Sequence, residues 1–341
     1  MPFLDRIFRD LASAGYPELA DRKGDVARML RERMQRGIEP HRSFLFVFPE
    51  GTESVSATGD RCALNCRHCG GHYLGGMTPV GELEARLARG EPMAPSWLIS
   101  GGCDPGGRVA PPSEALLTQL SERGRLNFHV GLAGEREIAA AARFADSVCF
   151  DLIGSDDTLK RVMGVDARVQ DYFDTYREFR RKMPDGVPVV PHVVIGLDGG
   201  EISGEYQVVD FLSEDQPEAL VLLVLLPTPG TDFAEVAPPD LQEVCDLMLH
   251  ARSSLPRTSL AIGCMRPSGS YRAALDLLAV ACDFDILVQP TQFARSRALE
   301  IDEGEAVNWG NECCALYVGS GEDTLAGQFP DLEAFRQREE R

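Results

Sequence analysis

Three cysteines lie within eight residues of this sequence, at a spacing of C-x3-C-x2-C. They are Cys62, Cys66 and Cys69, in the stretch DRCALNCRHCGGHYLGGM. A [4Fe–4S] cluster needs one ligand per iron, so three thiolates on one short loop would leave the fourth iron open to a small molecule. A zinc ion held by the same cysteines and His72 is the alternative, and catalytic zinc also keeps one position open. The spacing therefore predicts a metal centre, either an iron–sulfur cluster or zinc.

The composition of the chain restricts its compartment and its partners. The N-terminal stretch MPFLDRIFRDLASAGY lacks the apolar core of a secretory signal, and ALVLLVLL, residues 219–226, is too short to span a bilayer. We therefore predict a cytoplasmic protein with no membrane partner, in which clustered cysteines bind metal or act in catalysis more often than they form disulfides. A formal net charge of −19 predicts no nucleic-acid partner, because phosphate binding requires a basic surface.

The elements that must position the cysteines follow an alternating pattern. Eight short apolar runs are each followed by a helix-like stretch, which predicts a parallel (β/α) barrel of the TIM type. The runs cover residues 43–48, 96–100, 126–132, 147–153, 187–197, 219–226, 259–263 and 285–289. We predict an N-terminal helical extension over 1–42, the barrel over 43–291, and a C-terminal appendage over 292–341 that could cover the barrel mouth.

In a barrel of this kind, chemistry gathers at the C-terminal ends of the strands. The three-cysteine loop follows the first apolar run, 43–48, after thirteen residues. Gly101, Gly102 and Cys103 follow the second run directly, in SGGCDPGGR, and Cys264 follows the seventh run. These residues are therefore expected to lie together at one mouth of the barrel.

The cysteine loop resembles the C-x3-C-x2-C motif of the radical S-adenosylmethionine superfamily. His68 stands where that family usually has an aromatic residue, and Gly70 and Gly71 would let the backbone pass close to a cluster. The resemblance implies a barrel with the cluster loop after its first strand and S-adenosylmethionine (SAM) bound at the open iron, with His68 beside this cofactor. It also implies one-electron cleavage of SAM to methionine and a 5′-deoxyadenosyl radical, which abstracts hydrogen from a substrate.

The same resemblance implies further SAM-binding residues. Gly101 and Gly102 match the family's glycine pair, which receives the methionine amino group; Cys103 departs from the Glu that usually follows it. The stretch from Cys149 to Tyr176 resembles the biotin-synthase branch, which implies that Asp151 holds the ribose and Arg168 lies near the methionine carboxylate. HVVIGLDGGEISGE, residues 192–205, implies that Gly196 contacts adenine. Without the resemblance, the glycines could form an ordinary turn and Arg168 could lie at the surface.

Seven further cysteines divide into two groups. Cys245, Cys282 and Cys149 fall within apolar stretches and are expected in the core. The other four are candidates for a second iron–sulfur cluster, with scattered free thiols as the alternative: Cys103, Cys264, Cys313 and Cys314.

SGGCDPGGR, GCMRPSGSYR and the cysteine loop together resemble the two-component lipoyl synthases. This resemblance implies insertion of sulfur from the second cluster into an octanoyl chain on a carrier protein. It also implies a related second subunit and an electron donor such as a ferredoxin or flavodoxin. The chain lacks the clustered N-terminal cysteines of single-chain lipoyl synthases, so any second cluster would be ligated differently. The alternatives are a one-cluster mutase, lyase or methyltransferase, and a zinc or electron-transfer module without enzymatic activity.

Overall fold

The computed structural model describes residues 1–40, 43–301 and 307–318 of the chain. Its centre is one sheet of parallel strands in the order β11-β1-β10-β9-β8-β7-β6-β5-β4-β2-β3, curled as in a TIM-type barrel, which confirms the predicted fold class. The strands are β1 Phe44–Val47, β2 Thr52–Ser56, β3 Thr78–Pro79, β4 Ser96–Ser100, β5 Arg125–Val130, β6 Ser147–Asp151, β7 Val189–Ile195, β8 Ala219–Val224, β9 Ser259–Ile262, β10 Ile286–Val288 and β11 Val307–Gly310.

All eight predicted apolar runs form strands, but the cysteine loop does not follow the one we expected. The first run, β1, pairs with β10 and β11, whereas the loop follows β2, which pairs with β4. The sequence TESVS of β2 has one apolar residue, Val55, and three of its five side chains are only partly buried. The strand that positions the loop was therefore missed, and the loop begins directly after it.

Helices cover the outside of the sheet and bury its apolar outer face. They are α1 Pro2–Ser13, α2 Lys23–Gln35, α3 Val80–Ala88, α4 Glu114–Ser121, α5 Glu135–Phe144, α6 Asp156–Thr158, α7 Val169–Lys182, α8 Glu205–Asp215, α9 Leu241–Ser254, α10 Gly269–Ala281 and α11 Gln292–Ile301. Leu159–Met163 continues α6 as one wider helical turn. Among the described residues, every helix is too short or too polar to cross a lipid bilayer.

The predicted N-terminal extension contains α1 and α2, which contact the barrel helices α10 and α9. Its attachment includes a buried ion pair in which Arg33 Nε lies 2.6 Å from the Asp283 carboxylate. The apolar side chains of α1 that face α10, Leu4, Ile7 and Leu11, are completely enclosed. These helices therefore form part of the outer layer of the barrel. Residues 41 and 42 lie outside the described part of the chain.

Part of the predicted C-terminal appendage joins the barrel. Residues 307–310 form β11, and the segment 311–318 then enters the barrel interior, where Cys314 to Val318 are buried. Gly51 N–H donates to the Asn311 carbonyl at 2.6 Å, and Arg125 Nη1 donates to the Leu316 carbonyl at 2.9 Å. Gly51 and Arg125 lie at the starts of β2 and β5, so this segment is a floor at the N-terminal ends of the strands. Residues 302–306 and 319–341 lie outside the described part.

The barrel interior, here called the lumen, has two chemically different walls. Strands β8–β10 and β1 present apolar side chains, among them Val221, Ala261 and Leu45. On β5, by contrast, Arg125, Asn127 and His129 alternate with the buried, outward-packed Leu126, Phe128 and Val130. Since successive strand residues point to opposite faces, one wall of the lumen is polar from floor to mouth. This wall lies beneath the cysteine loop.

Candidate functional site

Backbone hydrogen bonds attach the cysteine loop to two neighbouring segments of the chain. Ala63 N–H donates to the Cys103 carbonyl at 2.7 Å, which attaches the loop to the segment after β4. Arg67 N–H donates to the Val162 carbonyl at 2.8 Å, which attaches it to the helical turn after β6. The loop is therefore held by backbone contacts at the C-terminal end of the sheet, independently of its cysteine side chains.

Two of the three cysteine side chains of the loop, Cys66 and Cys69, converge with His68 in a tight turn. Cys69 and Gly70 both donate backbone N–H groups to the Cys66 carbonyl, at 3.1 and 2.7 Å. One ligand atom each from Cys66, His68 and Cys69 lie within 4.8 Å of one another, and the buried Nδ1 of His68 has no hydrogen-bond partner. A hydrogen bond from the Cys66 thiol, with help from His68, lowers the pKa of Cys69 to about 4. Soft thiolates with an unpartnered buried nitrogen beside them fit a metal centre or iron–sulfur cluster.

The structure does not assemble the zinc set that the sequence left open. His72 is exposed, and its ring packs edge-on against Tyr73 at a centroid distance of 5.5 Å. The nitrogen gathered with the sulfurs belongs to His68. A zinc site with His72 as its fourth ligand would therefore require the loop to rearrange.

The predicted glycine pair lies directly against the cysteine loop. A Cβ on Gly102 would lie 2.1 Å from the Arg61 carbonyl oxygen and 2.7 Å from Cα of Cys62. Gly102 N–H donates to Thr58 Oγ1 at 2.7 Å. Gly101 is less tightly enclosed, since the atom nearest to a Cβ at that position would be Thr58 Oγ1, at 3.1 Å. Gly102 thus sets the distance between β4 and the loop.

Cys103 lies beside the cysteine loop rather than beside the other candidate ligands of a second cluster. Burial, followed by the nearby Cys62, raises the pKa of Cys103 to about 12. Its sulfur would be 3.7 Å from a Cβ on Gly131, at the end of β5. The predicted group of four cysteines is therefore divided between two places in the barrel.

Asp151 ends β6 with its side chain in the lumen, next to two histidines. Its Oδ2 lies 3.2 Å from Nε2 of His129, and the rings of His129 and His192 are 5.3 Å apart. Burial opposes charge on both partners, but the Asp151 carboxylate raises the pKa of His129 and the imidazolium lowers the pKa of Asp151. Burial, and then the neighbouring His129, lowers the pKa of His192. The polar wall therefore carries a carboxylate–imidazole pair, Asp151 and His129, whose attraction favours the charged forms, and a second imidazole, His192, for which the neutral form is favoured.

The two remaining predicted SAM-binding residues are placed less centrally. Arg168 caps the N-terminus of α7, as its position before that helix predicts, but its side chain is 77% exposed and only approaches Asp171, at 3.9 Å. Gly196 follows β7 in a left-handed conformation, with φ of 77°. Its N–H donates to Glu205 Oε1 at 2.7 Å, and its carbonyl accepts from Gly200 at 2.8 Å. The roles assigned to both residues remain predictions.

A second group of thiols lies deeper in the lumen, on the floor segment and β6. The Cys149 and Cys314 thiols hydrogen-bond the Cys313 sulfur and hold its pKa well below the usual value. Cys264 follows β9. The surrounding atoms of the barrel, and then the charge of the nearby Cys313, raise its pKa. Cys149, expected in the core, thus faces the lumen, whereas Cys245 and Cys282 are buried between α9 and α10 as expected.

Four polar or sulfur-containing residues of the lumen were not predicted as site residues: Asn127, His129, Cys149 and His192. The signal that identifies the first two is the strict alternation of polar and apolar residues in RLNFHV. An interior polar residue on every second position of a barrel strand indicates a lined chamber. In β6, SVCFD, Ser147 and Asp151 flank Cys149 on one face, so the same alternation marks that strand, whereas His192 gives no such signal because its strand β7 is otherwise apolar on both faces.

Comparisons with known proteins agree with the fold. No family model matches the chain, and no curated protein matches it in sequence. A methylornithine synthase (PylB) crystal structure superposes with a TM-score of 0.54 at 13% identity, covering 99% of this chain and 95% of that chain. A HydG structure, a maturase of the [FeFe]-hydrogenase, gives 0.55 at 12% identity over 84% and 72% of the two chains. HydG from Carboxydothermus hydrogenoformans gives 0.53 at 12% over 92% and 86%. The chain therefore has the barrel fold of these solved proteins.

Proposed function

We propose that this chain is a radical SAM enzyme. The observation that carries the proposal is the arrangement of Cys62, Cys66 and Cys69 on a fixed loop after β2, at the C-terminal end of a parallel barrel. PylB, a methylornithine synthase, and HydG, a maturase of the [FeFe]-hydrogenase, share the fold. Cys62, Cys66 and Cys69 would hold a [4Fe–4S] cluster, which would supply the electron for reductive cleavage of SAM to methionine and a 5′-deoxyadenosyl radical.

The surrounding residues of this chain have separate tasks in that chemistry. Gly102 lets the cysteine loop lie against the end of β4. Asp151 offers its free Oδ1, a buried acceptor without a partner, to a ribose hydroxyl, while His129 holds the other carboxylate oxygen. The barrel wall excludes water from a reactive radical, which is the protein's main contribution to such reactions.

The test is SAM cleavage under oxygen-free, reducing conditions. The reconstituted protein is incubated with SAM and dithionite, and methionine and 5′-deoxyadenosine are measured by mass spectrometry. We expect both products from the wild type and neither from the Cys62/Cys66/Cys69→Ala variant. A Cys245/Cys282→Ala variant, which removes two thiols outside the lumen, should keep the activity. A zinc or electron-transfer module would yield no 5′-deoxyadenosine from any variant.

The finer proposal is sulfur insertion into a protein-bound octanoyl chain, as in the two-component lipoyl synthases. Two features support it. A second group of thiols lies in the lumen of the barrel that carries the cysteine loop, and one wall of that lumen is apolar, as an alkyl chain requires. A related second subunit, an octanoylated carrier protein and a ferredoxin or flavodoxin would be its partners. With an octanoylated carrier and the second subunit, mass spectrometry should detect sulfur in the octanoyl chain.

A one-cluster mutase, lyase or methyltransferase of a small metabolite is the second candidate. The position of Cys103 beside the cysteine loop favours this one-cluster enzyme, because the four cysteines predicted for a second cluster are not gathered in one place. Such an enzyme would form 5′-deoxyadenosine with its own substrate and no sulfur-containing product. The two candidates are therefore separated by whether sulfur leaves the protein.

A further inference from the structure

The group of thiols in the lumen combines three separate elements of the chain. Cys149 comes from the middle of β6, Cys313 and Cys314 from the floor segment, and Cys264 from the loop after β9. The Cys313 sulfur is in hydrogen-bonding contact with the thiols of Cys149 and Cys314, and Cys264 lies within electrostatic range of both floor cysteines. The fold therefore brings together thiols that are up to 165 positions apart in the chain.

A fully buried amide orients two of these sulfurs. Asn127 Nδ2 lies 3.1 Å from Cys313 Sγ as a donor, and its Oδ1 accepts from Cys149 Sγ at 3.2 Å and from the Ser147 hydroxyl at 3.0 Å. Cys313 N–H is itself held by Thr52 Oγ1 at 2.7 Å. The Nδ2 donor directed at Cys313, with its amide fixed from behind, is typical of the outer shell of metal sites.

The fourth thiol is positioned by a buried ion pair. Arg266 Nε donates to Asp276 Oδ1 at 2.9 Å, and both side chains are completely enclosed. The same guanidinium donates to the Gly263 carbonyl, and Asp276 Oδ2 accepts from Thr291 N–H at 2.7 Å. This pair fixes the turn that carries Cys264 between β9 and α10. The residue nevertheless keeps surface that is accessible to solvent.

We propose that Cys149, Cys313, Cys314 and Cys264 bind a second iron–sulfur cluster inside the barrel, and that Cys103 is not one of its ligands. Thiolate-rich sites select zinc, copper(I) or iron–sulfur clusters. An iron–sulfur cluster is favoured over zinc or copper(I) because the site lies in the same lumen as the polar wall with His129 and His192, beneath the cysteine loop. The inference rests on the proposed function only for its use as a sulfur source.

The experiment measures metal and not activity. Full-length protein with Cys62, Cys66 and Cys69 changed to Ala is prepared and reconstituted without oxygen, and iron, zinc and acid-labile sulfide are measured per chain. We expect about two or about four irons with matching sulfide, since four cysteines can hold either cluster type. Adding Cys149→Ala or Cys313→Ala should remove them. Adding Cys103→Ala, or the control Cys245→Ala, should leave them unchanged.

Three results would overturn the proposal: no iron in the three-cysteine variant, zinc in its place, or loss of iron through Cys103→Ala while Cys149→Ala retains it. If the buried Cys149→Ala variant does not fold, Cys264→Ser at an exposed position tests the same cluster. That change should remove iron or shift the electron paramagnetic resonance signal of the reduced protein; an unchanged signal contradicts the assignment. SAM cleavage by the wild type is scored separately, so failure of the radical activity and failure of the second cluster are distinguished.

Discussion

Gly102 and Cys62 approach each other so closely that no side chain fits between them. A methyl group on Gly102 would lie 2.7 Å from Cα of Cys62 and 2.1 Å from the Arg61 carbonyl oxygen. Both neighbouring atoms are backbone, so rotation of a side chain cannot relieve the overlap. The space at position 102 therefore determines where the first cysteine of the loop can lie.

Gly102→Ala should consequently displace the cysteine loop. We expect a loss of about 1–3 kcal/mol in the free energy of unfolding, typical of overpacking, together with reduced iron bound at the cysteine loop. Iron analysis and chemical denaturation measure the two effects. Gly76→Ala is the matched control, because a Cβ there meets nothing within 4 Å. Equal iron content in the two variants would contradict the spacing argument.

Asp151→Asn should lower the pKa of His129, because it removes the carboxylate that raises it. The raised pKa of His129 stabilises the fold fully below the ordinary histidine value of 6.5, and this stabilisation is lost as pH rises through the raised pKa. The lowered pKa of Asp151 acts above 3.8 and is lost as pH falls through the lowered pKa. The difference in unfolding free energy between wild type and Asp151→Asn should therefore be largest between these two values.

Asp210→Asn provides the control for the Asp151 variant. Asp210 also pairs with a histidine, since its Oδ1 lies 2.7 Å from His250 Nε2, but this pair is at the protein surface. Titration of the His129 ring by nuclear magnetic resonance should respond to Asp151→Asn alone. An unchanged His129 titration in Asp151→Asn would show that the carboxylate does not control the imidazole.

Asp276→Asn should destabilise the protein by about 3–5 kcal/mol, because it leaves the Arg266 guanidinium charged and enclosed without a counterion. Chemical denaturation measures the change. Glu114→Gln is the control, since its pair with Arg143 is exposed and such pairs contribute about 0–1 kcal/mol. Replacing both buried partners, with Arg266→Met and Asp276→Leu, should recover most of the loss. A cost for Asp276→Asn as small as that for Glu114→Gln would contradict the role of the pair.

Tyr317→Phe should loosen the floor of the lumen. The Tyr317 hydroxyl accepts the N–H groups of Asn311 and Glu312 at 2.8 and 3.0 Å, and its ring lies against Gly310. Leaving these donors without an acceptor should cost about 1–3 kcal/mol in unfolding free energy. Tyr206→Phe on α8, where the ring is more than a third exposed, should cost less. Equal stability of the two variants would mean that the hydroxyl does not hold the floor.

The sequence alone predicted the barrel and singled out the cysteine loop as a metal-binding candidate. Eight strands could be predicted because buried parallel strands are continuous apolar runs. The loop was evident because C-x3-C-x2-C places its ligands by local chain geometry: residues three and four positions apart meet within one turn. Cys66 and Cys69, three positions apart, converge in the structure for that reason. Interactions over so few residues need no knowledge of the remaining chain.

Only the tertiary structure decided three features: the second thiol group, the pair of His129 and Asp151 in the lumen, and the strand before the cysteine loop. Cys149 meets Cys313, and His129 meets Asp151, because curling of the sheet directs alternate residues of different strands inward. β2 has too little apolar surface to be recognised, since it is defined by pairing with β4. Contacts between distant segments depend on strand order and register, and no short stretch of sequence encodes either of these.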